Sequence, residues 1–329
     1  MLKRVLPALA AATILASPAP ADDAAVAVTS VEPPEHTLPW PNLGIGESRR
    51  ERRDSYDAAP QMQRGFSAGH ILEQRRRLDR AIANLQTQRP GVIDAYVLTV
   101  ALDSDKVFAR EARESGRVLS ARYDGAGRTL TLAGPDGVRD DLPHGSIDAL
   151  TVSLAAIAEK MDPNEDVLVL YSTSHGLDLG LAYHYGDQGY GILSPAHFKN
   201  LLEELGIKRR ILMLSACYAG VFVPELTSPD TAILTAAAGN RTSFGCEPDS
   251  EWTYFGDALI NRALRQPQPL AAASQQANVT IAGWESRKRL LASLPQTVIG
   301  DGVNAWLPRL EARMPKVASE PVGKSSAEQ

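Results

Sequence analysis

Apolar residues occur along the chain in short runs that alternate with segments of helical periodicity. The runs predict strands at six places: 92–102, 128–134, 166–176, 209–217, 231–239 and 295–300. Apolar positions at helical spacing predict helices near 68–88, 108–119, 146–161, 194–207, 254–264 and 268–286. Strands that alternate with helices form a mainly parallel sheet covered on both faces. The pattern therefore predicts an α/β fold.

The amino-terminal residues indicate where the protein is delivered. Residues 1–21 contain Lys3 and Arg4, then a short apolar stretch, then Ala19-Pro20-Ala21, which is the pattern of a cleaved secretory signal. The apolar stretch is shorter than the roughly 20 residues that a membrane-spanning helix needs. We therefore expect an exported protein, periplasmic or secreted, with no stable membrane insertion after the signal is removed.

The rest of the chain predicts one domain between two weakly structured ends. Residues 22–65 are rich in Pro, Ala and charge, which indicates a flexible arm. Residues 66–314 contain the predicted strands and helices and form the domain, whose first helix is 68–88. Residues 315–329 are expected to be a disordered tail.

Composition and known motifs exclude several classes of function. A hydrophobic content of 44%, a charged content of 22% and a net charge of −5 are typical of a soluble globular protein and give no attraction for nucleic acid. The basic run at 48–54 is interpreted as part of a solvated arm. The chain lacks H-E-x-x-H and C-x-x-C, G-x-S-x-G, and the phosphate loop G-x-x-x-x-G-K-[ST]. We expect no metal and no cofactor.

Two chemically capable side chains follow predicted strands. His175 comes after "VLVLYSTS" and Cys217 comes after "ILMLSA". A right-handed crossover would set these consecutive strands side by side, so that both residues meet at one edge of the sheet. There an imidazole can take the thiol proton or stabilise the thiolate for attack on a carbonyl. Alone, His175 is more simply a surface or core-edge histidine, and Cys217 is equally well half of a disulfide with Cys246.

Three motifs carry a resemblance to a known family. They are "YSTSHG" at 171–176, "LSACYAG" at 214–220, and the stretch 231–259, where Ala-Ala is followed by Ser, an aromatic, a small residue, Cys and then Tyr-x-Gly-Asp. In this order they resemble the legumain family, within the caspase–gingipain–legumain group of cysteine peptidases. The resemblance covers roughly residues 92–300 and is closest to exported bacterial members.

The resemblance implies both a fold and roles for residues. The fold would be a caspase-like three-layer α/β/α arrangement with a mainly parallel sheet of about six strands. Cys217 would be the nucleophile and His175 its partner, and the main-chain N–H groups of Gly176 and Cys217 would form the oxyanion hole. Three residues would line the substrate pocket by position: Ser243, Asp257 and Ser215.

The sequence departs from the family's pattern in two places. Ser174 replaces the acidic residue that precedes the histidine in legumains, and Ser215 replaces the glutamate that shapes their recognition of asparagine. Asparagine specificity is therefore left open. The group that orients the histidine would lie near the end of the first strand, where Asp103 and Asp105 are the counterparts, although a loop or helix-cap carboxylate is the plainer interpretation of each.

These observations lead to one predicted function and two alternatives. We expect a cysteine-type endopeptidase that acts on peptide or protein substrates through a Cys217 thioester, with His175 as general base. A transpeptidase or ligase with the same pair and a catalytically silent binding module of the same fold are the alternatives. Cys217 should be a free thiol with a lowered pKa. Cys246 would lie out of disulfide reach, which is the simpler case, or its oxidation would act as a brake.

Overall fold

The computed structural model describes residues 46–328, so the predicted signal and the first part of the predicted arm lie outside the described residues. Within 46–328, no helix has both the length and the apolar character needed to cross a membrane. The strands are Gln61–Gln63 (β1), Ala95–Ala101 (β2), Thr129–Leu132 (β3), Val167–Thr173 (β4), Gly176–Leu177 (β5), Gly180–Tyr185 (β6), Gly189–Leu193 (β7), Arg210–Ser215 (β8), Thr231–Thr235 (β9) and Gln296–Ile299 (β10). The α-helices are Arg49–Ala58 (α1), Ala68–Ala83 (α2), Lys106–Arg122 (α3), Ile147–Ala158 (α4), Pro195–Glu204 (α5), Val223–Leu226 (α6), Leu270–Lys288 (α7) and Leu307–Glu311 (α8), and Gly256–Arg262 is a π-helix.

Six strands form the central sheet in the order β10-β9-β8-β4-β2-β3. Neighbouring strands are parallel, except that β10 runs antiparallel to β9. Every residue of β2, β4, β8 and β9 is buried, because helices cover both faces of the sheet. Burial on both faces explains why these strands are continuous apolar runs. The predicted α/β fold with a mainly parallel sheet of about six strands is confirmed.

Two apolar clusters join the sheet to its helical layers. One contains side chains from α3, the π-helix and α7, and the other contains side chains from α2, α4 and α5. Alternate residues of β2 enter different clusters, Val97 the first and Tyr96 and Leu98 the second. The three-layer α/β/α arrangement expected from the sequence follows from this alternation.

A second, antiparallel sheet consists of β1 and of three strands that lie between β4 and α5 along the chain. Its strand order is β1-β7-β6-β5, and β6 and β7 form a hairpin-like insert. Because β5 starts at Gly176, this sheet begins directly after His175. The insert therefore forms one side of the region around His175.

The structure corrects the description of the arm at 22–65. Within its described part, α1 begins with a capping box in which Ser48 accepts from the Glu51 N–H and Glu51 accepts from the Ser48 N–H. The strand β1 then pairs with β7. The Ser-x-x-Glu spacing at 48–51 was the available sequence signal for this helix, whose residues are all at least partly exposed.

The helix predicted at 68–88 ends earlier, at Ala83. Beyond it Leu85 is buried and the Gln86 N–H donates to the Gly127 carbonyl at 2.8 Å. The packing of Leu85 and the contact of Gln86 with a distant loop require a non-helical main chain, so the helix ends before residue 88. Tertiary contacts thus override local propensity here.

The structure also corrects the expectation of a disordered tail at 315–329. Ser326 is fully buried, and its N–H donates to Asp257 Oδ2 at 2.8 Å. The Trp252 indole N–H donates to the Val322 carbonyl at 3.0 Å, and Asn261 contacts both main-chain groups of Val322. Buried polar side chains of the domain therefore hold the tail through its main chain, which composition does not reveal.

Candidate active site

His175 and Cys217 follow two neighbouring strands of the central sheet. β4 and β8 are parallel and adjacent, with Thr173 paired to Ser215. His175 and Cys217 each lie two residues beyond this pair, so both main chains reach the same carboxyl edge of the sheet. The predicted adjacency of the two strands is confirmed.

The imidazole of His175 lies between α3 and the solvent. Its side chain is 44% exposed, and its ring packs edge-on against Phe108 at 5.1 Å between centroids. Nε2 lies 3.8 Å from Asp105 Oδ2, which is an electrostatic contact and longer than a hydrogen bond. Of the two candidate orienting carboxylates, Asp105 is therefore the one beside this nitrogen.

Asp103 lies behind Asp105. Its side chain is 2% exposed, Oδ1 accepts from the Asp105 N–H at 2.9 Å, and Oδ2 lies 3.4 Å from His184 Nδ1. Burial raises the pKa of Asp103, while the Asp105 N–H and the charge of a protonated His175 oppose that rise. Asp103 thus holds the turn that presents Asp105.

Asp103, Asp105 and His175 are also the one arrangement in the described part of the chain with three potential metal-ligand atoms close together. Those atoms lie within 4.8 Å of one another. The expected absence of a metal stays a prediction.

The Cys217 sulfur is half-buried and faces the loop that follows β9. It accepts from the Ser243 N–H at 3.2 Å and lies 3.7 Å from Ser243 Oγ. The neighbouring Cys246 thiol has the largest influence on the pKa of Cys217, which falls to about 6. Burial opposes the fall, and the contacts with Ser243 and the charge of His175 add to it.

Both cysteines are free thiols, as expected for Cys217. The expectation that Cys246 lies out of reach is wrong, because the two thiols are close enough to shift each other's pKa strongly. The turn at Gly245, whose φ is +83°, brings the chain back toward the sheet after Ser243. Gly245 itself was the sequence signal for this return, because glycine adopts a positive φ more readily than other residues.

The main chain around Cys217 leaves room for a substrate oxygen. No hydrogen bond among residues 46–328 uses the Cys217 N–H. A Cβ on Gly176 would lie 1.9 Å from the Cys217 carbonyl oxygen, so glycine is required for this close approach. Tyr218 has a φ of +58°, an uncommon conformation for a bulky residue that reorients the chain directly after the thiol.

The three residues predicted to line the substrate pocket have different environments. Ser243 contacts the Cys217 sulfur, while Ser215 is buried and shares a 3.0 Å hydrogen bond with Thr253. Asp257 is fully buried, and its oxygens accept from four donors: Asn261 Nδ2, Arg262 Nε, Ser325 Oγ and the Ser326 N–H. The prediction for Asp257 is corrected, since the tail and the π-helix occupy its oxygens.

A buried carboxylate beneath the site was missed. Glu111 of α3 is fully buried and accepts from Tyr171 Oη at 2.6 Å, Thr173 Oγ1 at 2.7 Å and the Thr253 N–H at 2.9 Å. It links α3 to β4 and to the residue that contacts Ser215. Its position among the apolar residues of α3 was the available signal, because an unpaired carboxylate is seldom placed on a buried face.

A cavity of about 530 Å³ opens beside His175. The hairpin supplies one wall with Tyr183 and Tyr190, and the arm supplies another with Tyr56 and Met62. The cavity is thus largely apolar and borders the imidazole, which suits an extended peptide side chain.

Comparison with known proteins bears on the family resemblance of residues around the site. Residues 149–304, which include His175 and Cys217, match the Peptidase C13 family, the legumain family. The chain matches no curated protein. Among solved structures, caspase-1 from Spodoptera frugiperda is similar with a TM-score of 0.41 and 11% identity, over 63% of this chain and 87% of that chain. The predicted resemblance to the legumain family of cysteine peptidases is therefore confirmed over residues 149–304.

Proposed function

We propose that the protein is an exported cysteine endopeptidase in which Cys217 attacks the peptide carbonyl and His175 serves as its base. The observation that carries the proposal is the placement of a half-buried thiol and a half-exposed imidazole at adjacent strand ends. The lowered pKa of Cys217 supports it, because a large share of this thiol is thiolate at neutral pH.

The chemistry follows from the groups around the sulfur. The Cys217 thiolate adds to the carbonyl carbon, and the oxyanion accepts from the N–H groups of Cys217 and Gly176. His175, protonated, gives its proton to the leaving amine, and the bond to nitrogen breaks to leave a thioester. Water then attacks the thioester with His175 as base. Asp105 can orient the imidazole, because its Oδ2 lies 3.8 Å from His175 Nε2.

Substrate recognition is proposed to use Ser243 and the cavity beside His175. Ser243 lies against the sulfur, and Tyr56, Met62 and Tyr190 offer apolar surface to a substrate side chain. Ser215 does not face the substrate in this proposal. It supports the site indirectly, through its hydrogen bond with Thr253.

Labelling with peptidyl thiol-reactive probes tests the proposed function. A panel of probes that differ in the residue before the reactive group should label Cys217, with one group of residues preferred. The labelling rate should rise about tenfold per pH unit below pH 6 and level off above it, because the thiolate reacts. Equal labelling of Cys217 and Cys246 by all probes, without hydrolysis of matching peptides, would favour a silent binding module.

Export is tested separately. We expect amino-terminal sequencing of the protein from the exported fraction to begin at or near Asp22, because Ala19-Pro20-Ala21 is the predicted cleavage site. Intact Met1 on a soluble protein in the cytoplasmic fraction would contradict export.

A further inference from the structure

Cys246 is a second thiol held against the proposed nucleophile. The Ser243 N–H fixes one end of the intervening loop on the Cys217 sulfur, at 3.2 Å. Gly245 then turns the chain, and a Cβ there would lie 2.9 Å from the Trp252 carbonyl oxygen and 3.0 Å from the Tyr254 nitrogen. Cys246 itself packs against the apolar cluster around Phe108, the same ring that contacts His175. The loop, the turn and this packing therefore keep the second thiol in place.

We propose that Cys246 is a modification site that resolves oxidation of the nucleophile: when a hydroperoxide oxidises Cys217, Cys246 captures the product as a Cys217–Cys246 disulfide. Its effect on activity rests on the proposed function, whereas the disulfide chemistry needs only the two thiols.

The reaction proceeds in two balanced steps. The Cys217 thiolate attacks hydrogen peroxide, the O–O bond breaks, and Cys217 sulfenic acid and hydroxide form. The Cys246 sulfur then attacks the Cys217 sulfur, the S–O bond breaks, and the departing hydroxide leaves as water with the Cys246 proton. Overall, two thiols and one peroxide yield one disulfide and two waters.

The two thiols divide these roles by charge. The neighbouring Cys217, together with burial, raises the pKa of Cys246, so Cys246 is protonated while Cys217 is the reactive thiolate. Oxidation of Cys217 to a neutral sulfenic acid removes the negative charge that contributes to that raised pKa. Cys246 therefore becomes easier to deprotonate once Cys217 has been oxidised.

The two thiols are neighbours, since each strongly shifts the pKa of the other. Disulfide formation requires the sulfurs to approach to about 2.05 Å, with the alpha carbons within roughly 4.4–6.8 Å. Cys246 reaches Cys217 from a loop and not from a strand of the sheet. A small adjustment of that loop closes the bond without disturbing β8.

Peroxide treatment of the reduced full chain tests the proposal. Hydrogen peroxide is added, free thiols are alkylated without reductant, and peptides are mapped by mass spectrometry. Peptide hydrolysis is measured before treatment, after it, and after dithiothreitol. The wild-type protein should yield a Cys217–Cys246 linked peptide, lose activity and recover it fully with dithiothreitol.

Variants at both cysteines complete the experiment. Cys246→Ser and Cys246→Ala should accumulate Cys217 with two or three added oxygens and should not recover, because those oxidation states resist dithiothreitol. In Cys217→Ala, Cys246 should stay open to alkylation. Absence of the linked peptide in the wild type, or full recovery in both Cys246 variants, would overturn the proposal. A linked peptide in a protein that never hydrolyses peptides would support the resolving role and refute the proposed function.

Discussion

Replacing Cys217 or His175 with alanine should each abolish peptide hydrolysis and leave the fold intact. We expect a loss of roughly 10³- to 10⁶-fold in kcat/KM, because nucleophile and base act as one unit. Cys217 is only half-buried and His175 is 44% exposed, so neither truncation removes much core packing. The measurement is hydrolysis of the peptide that corresponds to the best probe, with thermal unfolding recorded for each variant.

A matched histidine variant and the double variant serve as controls. His197 lies in the first turn of α5, where its N–H donates to Ser194 Oγ, and the proposed mechanism gives it no role, so His197→Ala should keep wild-type activity. The double variant should be little worse than either single one. Hydrolysis near the wild-type rate in Cys217→Ala or His175→Ala would refute the catalytic pair.

Replacing Glu111 with alanine should destabilise the protein by about 3–5 kcal/mol. The change leaves three buried donors without their acceptor, on Tyr171, Thr173 and the Thr253 main chain. It also opens space beside Gly256, where a Cβ added to the glycine would lie 2.1 Å from Glu111 Oε2. The midpoint of urea unfolding measures the loss.

Two further variants separate this effect from loss of any acidic residue. Glu111→Gln keeps an acceptor of similar size and should cost less than the alanine. Glu204→Ala removes an exposed carboxylate at the end of α5 and should change stability by less than about 0.5 kcal/mol. An unfolding midpoint in Glu111→Ala equal to that of Glu204→Ala would show that the three bonds contribute nothing.

The central sheet and the placement of His175 and Cys217 could be predicted from the sequence. Both follow from runs of apolar residues, which are visible in the local sequence. β4 and β8 are continuous apolar runs, since both faces of the sheet are covered, and crossover handedness then makes them adjacent.

The contacts that were missed depend on single polar groups meeting over long sequence separations. Asp257 matched a family motif, but no pattern in the chain indicates that its oxygens receive the Ser326 N–H, 69 residues away. Cys246 was placed too far from Cys217 because the length of a loop does not specify its path, which here depends on the turn at Gly245. Asn261 and Trp252 likewise bind the main chain of Val322 through hydrogen bonds. Such bonds require no apolar pattern in the tail, so the sequence does not reveal them.

The docking of the carboxyl-terminal segment has a consequence for folding during synthesis, because it makes the region around the site depend on residues that are made late. A ribosome makes the chain from its amino end, and folding generally follows that order. His175 and Cys217 are synthesised long before Val322 and Ser326, whose contacts brace the segment from Trp252 to Asp257. That segment also supplies Thr253, the partner of Ser215. A chain that stops before Val322 therefore carries His175 and Cys217, but its segment from Trp252 to Asp257 lacks the hydrogen bonds that Val322 and Ser326 provide.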